Sequence, residues 1–255
     1  MKRLIFNLNR TLLDKILKDG IYPQTVHIFH HYFKDNNKYL IEFIRFAKKE
    51  GYAIKGYDYE QKQGEKVLYL SFDDNYEAWY KMAQLLREEG VSCTFFINFA
   101  PNLMSDALIK EYYGSLGLPN GKPLALDQVS ELMQAGFNFG NHGLAHMPYS
   151  NLQLSHVKTD LDLNRNFFQQ QFGAKLTNVA FPYGSMRYFK KEWIDEVSRE
   201  FGTIYAGHPL FQSKKDDKLV FRSPLYTSES FEFNLKMQRV SSIDPNLTFG
   251  KSVIG

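Results

Sequence analysis

The stretch Val67-Leu68-Tyr69-Leu70-Ser71-Phe72-Asp73-Asp74 decides the fold class of this chain. Its first six residues form a nearly continuous apolar run, which is typical of a strand buried on both faces of a parallel sheet. The run stops at two adjacent carboxylates, Asp73 and Asp74. We therefore expect both aspartates at the C-terminal end of a buried strand, which is where α/β proteins gather their catalytic groups.

Strand and helix patterns alternate on both sides of this run. Helical apolar spacing is found over 38–50 and 77–89, and each segment is closed by a glycine, Gly51 and Gly90. Further apolar strand patterns follow at 91–99, 137–140, 178–181, 203–206 and 218–224. This alternation, without repeats or linkers, predicts one α/β domain. The segment 102–121 carries little pattern, and we expect a long loop there that shapes substrate access.

The composition excludes several classes of protein. The chain has 255 residues, of which 44% are hydrophobic and 23% charged, so disordered, collagen-like and transmembrane classes are excluded. A net charge of +3, without any run of five like charges, argues against nucleic acid as a partner. The aromatic share of 16% fits either a dense core or a cleft that faces a carbohydrate. Composition alone does not choose between the two.

The first twenty residues begin like a secretory signal but do not continue as one. Asn7, Asn9 and Arg10 break the apolar run after three residues, whereas a signal core needs ~7–15. We therefore expect a cytoplasmic protein. Residues 1–20 have helical apolar spacing with basic residues available for the other face. This predicts an amphipathic helix that either packs on the body of the protein or makes a dimer contact or a peripheral contact with the inner face of a membrane.

Two more polar groups follow predicted strands. His142-Gly143-Leu144-Ala145-His146 comes after the strand at 137–140, and Pro182-Tyr183 comes after the strand at 178–181. Imidazole nitrogens and a carboxylate oxygen can each bind a divalent ion at ~2.0–2.2 Å, and three ligands leave room for water. Because successive strand residues point to opposite sides, Asp73 and Asp74 can work together only if the chain turns between them. One aspartate would then bind the ion while the other handles protons.

The order of these motifs is more specific than any one of them. Ser71-Phe72-Asp73-Asp74-Asn75, then His142 to Pro148, then Phe181 to Gly184 resembles the NodB-type polysaccharide deacetylases of carbohydrate esterase family 4, over roughly residues 22–225. The resemblance implies a distorted (β/α) barrel of about seven mostly parallel strands, built by residues 21–255 as a single catalytic domain. It also implies a metal-dependent hydrolase that removes acetyl groups from a carbohydrate of the cell envelope, N-acetyl in preference to O-acetyl.

The resemblance also implies roles for individual residues. Asp73 corresponds to the catalytic base, and Asp74, His142 and His146 correspond to ligands of a divalent metal ion, zinc in the first place, with cobalt, nickel, manganese or iron as alternatives. The Tyr183 backbone N–H corresponds to part of the hole that holds the oxyanion. Together these residues would form a complete hydrolytic site.

Several positions depart from the family pattern. Gly143 replaces a Ser or Thr, and Ala180 stands where the third motif carries an arginine. Arg222, in the last apolar run, is a candidate to replace that arginine. The general acid is also not evident, and His208, the only histidine after the third motif, is the best candidate for it. Candidate substrate-binding residues are His31, Tyr76, Pro182 and Arg222.

Two alternatives keep the fold but change the function. One is hydrolysis of a small cyclic amide, and the other is a sugar-binding relative without catalysis, which the missing arginine at Ala180 suggests. The intact set of ligands and base argues against the second. For a cytoplasmic enzyme we expect an acetylated sugar, an oligosaccharide, or a lipid- or nucleotide-linked sugar as substrate. Four aromatic residues fit either cleft walls or core: Tyr76, Trp79, Tyr112 and Tyr113.

Overall fold

The computed structural model describes residues 22–30, 37–184, 188–207 and 218–241. The helix predicted over 1–20 and the two candidate site residues His31 and His208 lie outside the described residues.

The described residues form a parallel sheet that curls into a barrel. Eight strands pair in the order β8-β7-β6-β5-β4-β3-β1-β9, and β2 pairs with β3 as well. Each of these pairings is parallel. The strands are β1 (Thr25–His30), β2 (Tyr52–Lys55), β3 (Lys66–Asp74), β4 (Thr94–Ile97), β5 (Asn138–Asn141), β6 (Val179–Ala180), β7 (Ile204–Ala206), β8 (Leu219–Phe221) and β9 (Ser223–Pro224).

The last strand segment closes the barrel. β8 pairs with β7, and β9, which begins after the single residue Arg222, pairs with β1. The nearly closed barrel confirms the expected (β/α) fold. The structure has more strands than the expected seven because the run at 218–224 contributes two and because β2 was not foreseen. β2 pairs with the first part of β3, and β4 pairs with its last part.

Helices cover the outside of the barrel. They are α1 (Asn37–Lys49), α2 (Ala78–Glu88), α3 (Asp106–Ser115), α4 (Leu126–Gln134), α5 (Leu154–Phe172), α6 (Ile194–Phe201) and α7 (Phe231–Ser241). Within the segment 102–121, where a loop was expected, α3 occupies the middle ten residues. No helix in the described part of the chain is long and apolar enough to cross a membrane.

The alternation along β3 separates an outer core from the barrel interior. Leu68, Leu70 and Phe72 join the outer core between strands and helices. Tyr69 faces inward, where its ring stacks on His27 at 5.1 Å between centroids. Tyr57 stacks beside them, so aromatic rings fill the interior. Asp73 belongs to the inward set and lies at the end of β3, above this aromatic layer.

Candidate active site

The chain turns sharply between Asp73 and Asp74, as a joint role requires. Asp74 has φ = 84°, in the left-handed region that residues other than glycine rarely adopt. Among the described non-glycine residues, His146 (φ = 52°) and Tyr183 (φ = 63°) are the others with positive φ. All three are predicted site residues on three different chain segments. Such strain persists only where surrounding structure imposes it, and it concentrates at functional sites.

Asp74, His142 and His146 converge on one point, and we call them the three-ligand cluster. Their ligand atoms all lie within 4.8 Å of one another, and all three residues are buried. Asp74 Oδ1 is 2.8 Å from His146 Nε2 and 3.4 Å from His142 Nε2. Tetrahedral ligands at ~2.0–2.2 Å from an ion lie about 3.4 Å apart. The cluster therefore fits a small divalent ion such as zinc.

The backbone fixes the tautomer of His142. Its Nδ1 lies 2.7 Å from the carbonyl oxygen of Ala180. Since a carbonyl can only accept a hydrogen bond, Nδ1 carries the proton, and in the neutral ring Nε2 presents its lone pair toward Asp74. Metal-binding histidines in proteins are commonly oriented in this way. Ala180, at the position of the missing arginine, thus contributes its backbone to the site.

Tyr76, a candidate sugar contact, lies behind the three-ligand cluster. Its side chain is buried, and its hydroxyl donates a hydrogen bond of 2.7 Å to Asp74 Oδ2. Burial, and secondly the charge of Asp74, raise the pKa of this phenol, so it stays a donor. Asp74 therefore offers Oδ1 to the histidines while Tyr76 holds Oδ2.

Asp73 is held from inside the barrel by Arg222, and we call these two residues the aspartate–arginine pair. Arg222 Nη1 and Nη2 donate to Asp73 Oδ1 and Oδ2, each at 2.7 Å. Nη1 also donates to Ser71 Oγ at 2.9 Å. Burial alone would lower the pKa of Arg222, but Asp73, with smaller contributions from Tyr57 and Tyr205, outweighs burial and raises this pKa. Two parallel charge-assisted hydrogen bonds fix both the position and the orientation of the carboxylate.

Arg222 lies close to Ala180, the position at which the family pattern carries an arginine. Its guanidinium lies over the rings of Phe29 and Phe96, at 4.9 and 5.0 Å from their centroids. Ala180 packs against the same Phe96 ring, together with Tyr205. An arginine between the two closing strands, β8 and β9, therefore reaches the layer of the barrel interior in which Ala180 lies.

A group of polar residues on α5 was missed by the sequence analysis. Asp160 and Asn164 are buried on the same helix face as Val157, Leu161 and Phe168. Asp160 accepts hydrogen bonds from the backbone amides of Leu144 and Ala145, which lie between the two histidines. The signal was present in the sequence, because these two polar residues interrupt an apolar stripe at helical spacing.

Asn164 joins the helix to the strand end below the histidines. Its Nδ2 donates to Asn141 Oδ1 at 2.9 Å and to the Ile97 carbonyl at 2.8 Å. Asn141 Oδ1 also accepts from the Gly143 amide at 3.0 Å. The loop thus begins on a fixed strand end.

The mouth of the site is partly aromatic. The Tyr183 side chain is 50% exposed, with its ring 4.7 Å from that of His146, while Pro182 before it is buried. Tyr112, on α3, is half-buried and accepts a hydrogen bond of 3.0 Å from Asn98 Nδ2. Trp79 and Tyr113 are fully buried. Tyr183 and Tyr112 can therefore face a ligand, whereas Trp79 and Tyr113 belong to the core.

Comparisons with known proteins agree with this geometry. The family described as Polysaccharide deacetylase matches residues 60–202, more than half of the chain. None of the curated proteins matches the sequence. A Streptococcus pyogenes deacetylase, PplD, solved with acetate, has a TM-score of 0.67 at 14% identity over 86% of this chain and 98% of its own.

Two further solved structures have a similar fold. IcaB from Ammonifex degensii has a TM-score of 0.64 at 15% identity, covering 84% of this chain and 97% of its own. A de-N-acetylase from Aggregatibacter actinomycetemcomitans has a TM-score of 0.64 at 18% identity, covering 84% and 98%. The parallel barrel with its polar residues at the carboxyl end is thus of the NodB type found in carbohydrate esterase family 4. The chain belongs to the polysaccharide deacetylase family and is a carbohydrate deacetylase, a hydrolase.

Proposed function

We propose that this protein is a metal-dependent deacetylase that hydrolyses the N-acetyl group of an amino sugar. The observation that carries the proposal is the adjacency of two arrangements at one strand end. Asp74 converges with His142 and His146, while Asp73, one residue earlier, is held by Arg222. Asp74 is thus available to bind an ion, and Asp73 is available to transfer a proton.

The residues of the site divide the work of hydrolysis. Asp74, His142 and His146 would hold a divalent ion, which would supply a Lewis acid to polarise the acetyl carbonyl and to lower the pKa of water to about 7. Asp73 accepts the proton of the attacking water, in an orientation that Arg222 fixes. The Tyr183 backbone N–H stabilises the oxyanion of the tetrahedral intermediate. An acid, for which we propose His208, then protonates the leaving nitrogen.

An N-acetyl substrate is supported by one of the structural neighbours. One structural neighbour is a de-N-acetylase, and its likeness to this chain covers most of both chains. An amine anion cannot leave without protonation, whereas an ester can leave with less help. The proposed acid is therefore tested best by comparing the two kinds of substrate.

The central experiment measures metal content and acetate release from oligomers of N-acetylglucosamine. We expect the purified protein to bind a divalent ion, and we expect Asp73→Asn to lower kcat by about 10²- to 10⁴-fold while the ion's Kd is unchanged. Asp162→Asn, on the outer surface of α5, serves as the matched control. A protein without affinity for any divalent ion would contradict the proposal. Ring opening of a cyclic amide without acetate release would instead support the alternative hydrolase.

A second experiment tests the acid. His208→Gln is expected to lose hydrolysis of the N-acetyl substrate while retaining hydrolysis of an activated aryl acetate. His31→Gln is the comparison, because His31 is the other candidate histidine. If His31→Gln shows that selective loss and His208→Gln does not, the acid is His31.

We also propose a cytoplasmic enzyme that reaches a lipid-linked acetylated sugar at the inner face of the membrane through residues 1–20. The proposal is supported by the basic residues Lys2, Arg3, Arg10, Lys15 and Lys18 among apolar residues at helical spacing. Deletion of residues 1–20 should abolish binding to anionic vesicles and leave acetate release from a water-soluble oligomer intact. Unchanged vesicle binding would contradict it.

A further inference from the structure

The loop that carries both histidines adopts a conformation that its own backbone does not favour. We call residues 141–149 the histidine loop. Gly143 and His146 both have positive φ, at 69° and 52°. For His146 this conformation costs free energy, because its Cβ approaches the following carbonyl oxygen. Contacts from outside the loop must therefore hold it.

Those contacts come from Asp160 on α5. Asp160 Oδ2 accepts hydrogen bonds from the Leu144 amide at 3.1 Å and from the Tyr149 hydroxyl at 2.6 Å. Asp160 Oδ1 accepts one from the Ala145 amide at 3.1 Å. The carboxylate is only 5% exposed, so these three donors are what satisfies its oxygens in place of water. Two of the donors lie between His142 and His146.

Tyr149 explains why the second motif has glycine at position 143. A Cβ on Gly143 would overlap both Tyr149 Oη and Asp160 Oδ2. The Tyr149 side chain is 1% exposed and packs against Phe181 in the core between barrel and helices. The hydroxyl of a tyrosine six residues further along the chain therefore fills the space that a side chain at position 143 would need.

We propose that Asp160 and Tyr149 are positioning residues that hold the histidine loop in its ligand-binding conformation before an ion arrives. This inference rests on the proposed metal-dependent function. Neither residue belongs to the three-ligand cluster, and each acts through the backbone between the histidines. Loss of either leaves the ligands present but lets the loop relax, so the ion must organise it on binding.

The test compares the affinity of four variants for Zn²⁺ and Co²⁺ with that of the wild type. Tyr149→Phe and Asp160→Asn are expected to raise Kd by about 10- to 100-fold, as changes behind metal ligands commonly do. Tyr52→Phe is the control for the first, since this buried hydroxyl donates to the Pro23 carbonyl near the opposite end of the strands. Asp162→Asn, on the same helix as Asp160, is the control for the second. Both controls should keep the wild-type Kd.

Two readouts separate positioning from general stability. Without metal, the amides of Leu144 and Ala145 should resist hydrogen exchange in the wild type and in both controls, and should exchange freely in Asp160→Asn. With Co²⁺, the visible absorption spectrum of Tyr149→Phe and Asp160→Asn should differ from that of the wild type. Tyr149→Phe and Asp160→Asn variants that lose thermal stability but keep the wild-type Kd, spectrum and amide protection would overturn this inference and leave the proposed function intact. A wild-type protein that binds neither ion would overturn the proposed function and the inference with it.

Discussion

Asp73 and Asp74 are neighbours in the chain, yet the molecule holds them in opposite ways. Asp73 is fixed from inside the barrel by a buried cation that lies 149 residues away in sequence. Asp74 is fixed from the loop side by a neutral phenol, Tyr76, two residues away. The proposed base, Asp73, therefore depends on closure of the barrel by its last strand, whereas the proposed metal ligands depend on local loops. Damage to one arrangement should leave the other largely intact.

The largest effect is expected from breaking the aspartate–arginine pair. Arg222→Met leaves the Asp73 carboxylate buried without its partner, which should cost about 3–5 kcal/mol in the free energy of unfolding. Urea titration measures this loss, and acetate release should fall because Asp73, the proposed base, loses its orientation. The Kd of the ion should change little.

A double variant shows whether the buried charge is the cause. Asp73→Asn in the Arg222→Met background removes the unpaired charge and should recover part of the lost stability, although not the activity. If the double variant is no more stable than Arg222→Met, the cost is lost packing of Arg222 against Phe29 and Phe96, not an unpaired carboxylate.

The next largest effect is expected from a substitution in the histidine loop. Gly143→Ala should cost about 2–4 kcal/mol, because an overlapping Cβ adds to the strain of a left-handed residue. Gly51→Ala is the matched control: its φ is 85°, but a Cβ there meets nothing within 4 Å. The control should therefore lose only about 1–2 kcal/mol, the cost of left-handed strain. Equal losses in thermal unfolding would show that the overlap with Tyr149 and Asp160 is relieved at no cost.

The same contrast explains what the sequence could and could not predict. The α/β domain followed from alternating patterns. The barrel, and the roles of the three-ligand cluster, followed from the order of motifs at strand ends and from its resemblance to a known family. The role of Tyr76 behind Asp74 was missed, because an aromatic residue beside a site fits a sugar contact equally well. Asp160 and Asn164 were missed although they interrupt an apolar stripe.

The partner of Asp73 was the hardest feature to predict, since sequence spacing does not report which strand closes a barrel. Arg222 was a candidate because it lies in the last apolar run and because the arginine expected at Ala180 was absent. The contact of Arg222 with Asp73 depends on β8 and β9 pairing with strands at opposite ends of the sheet order. Contacts that depend on closure of the whole fold leave no local pattern.

The smallest expected effect tests the barrel interior beneath the aspartate–arginine pair. His27 faces the rings of Tyr57 and Tyr69, and burial, with a smaller contribution from the charge of Arg222, lowers its pKa to about 3. In the unfolded chain this pKa is ~6.5. Between these two values only the unfolded state binds the proton, so the stabilisation is complete above ~6.5 and is lost as pH falls toward 3. Between pH 6 and 4 this loss should reach about 2 kcal/mol in the free energy of unfolding.

The free energy of unfolding should therefore fall less steeply with decreasing pH in His27→Phe than in the wild type. His156→Gln, at an exposed position, should not show this difference. Parallel curves of unfolding free energy against pH for the wild type and His27→Phe would contradict this prediction. They would show that the barrel interior tolerates a protonated imidazole, so that the aromatic layer beneath Asp73 does not exclude a further charge.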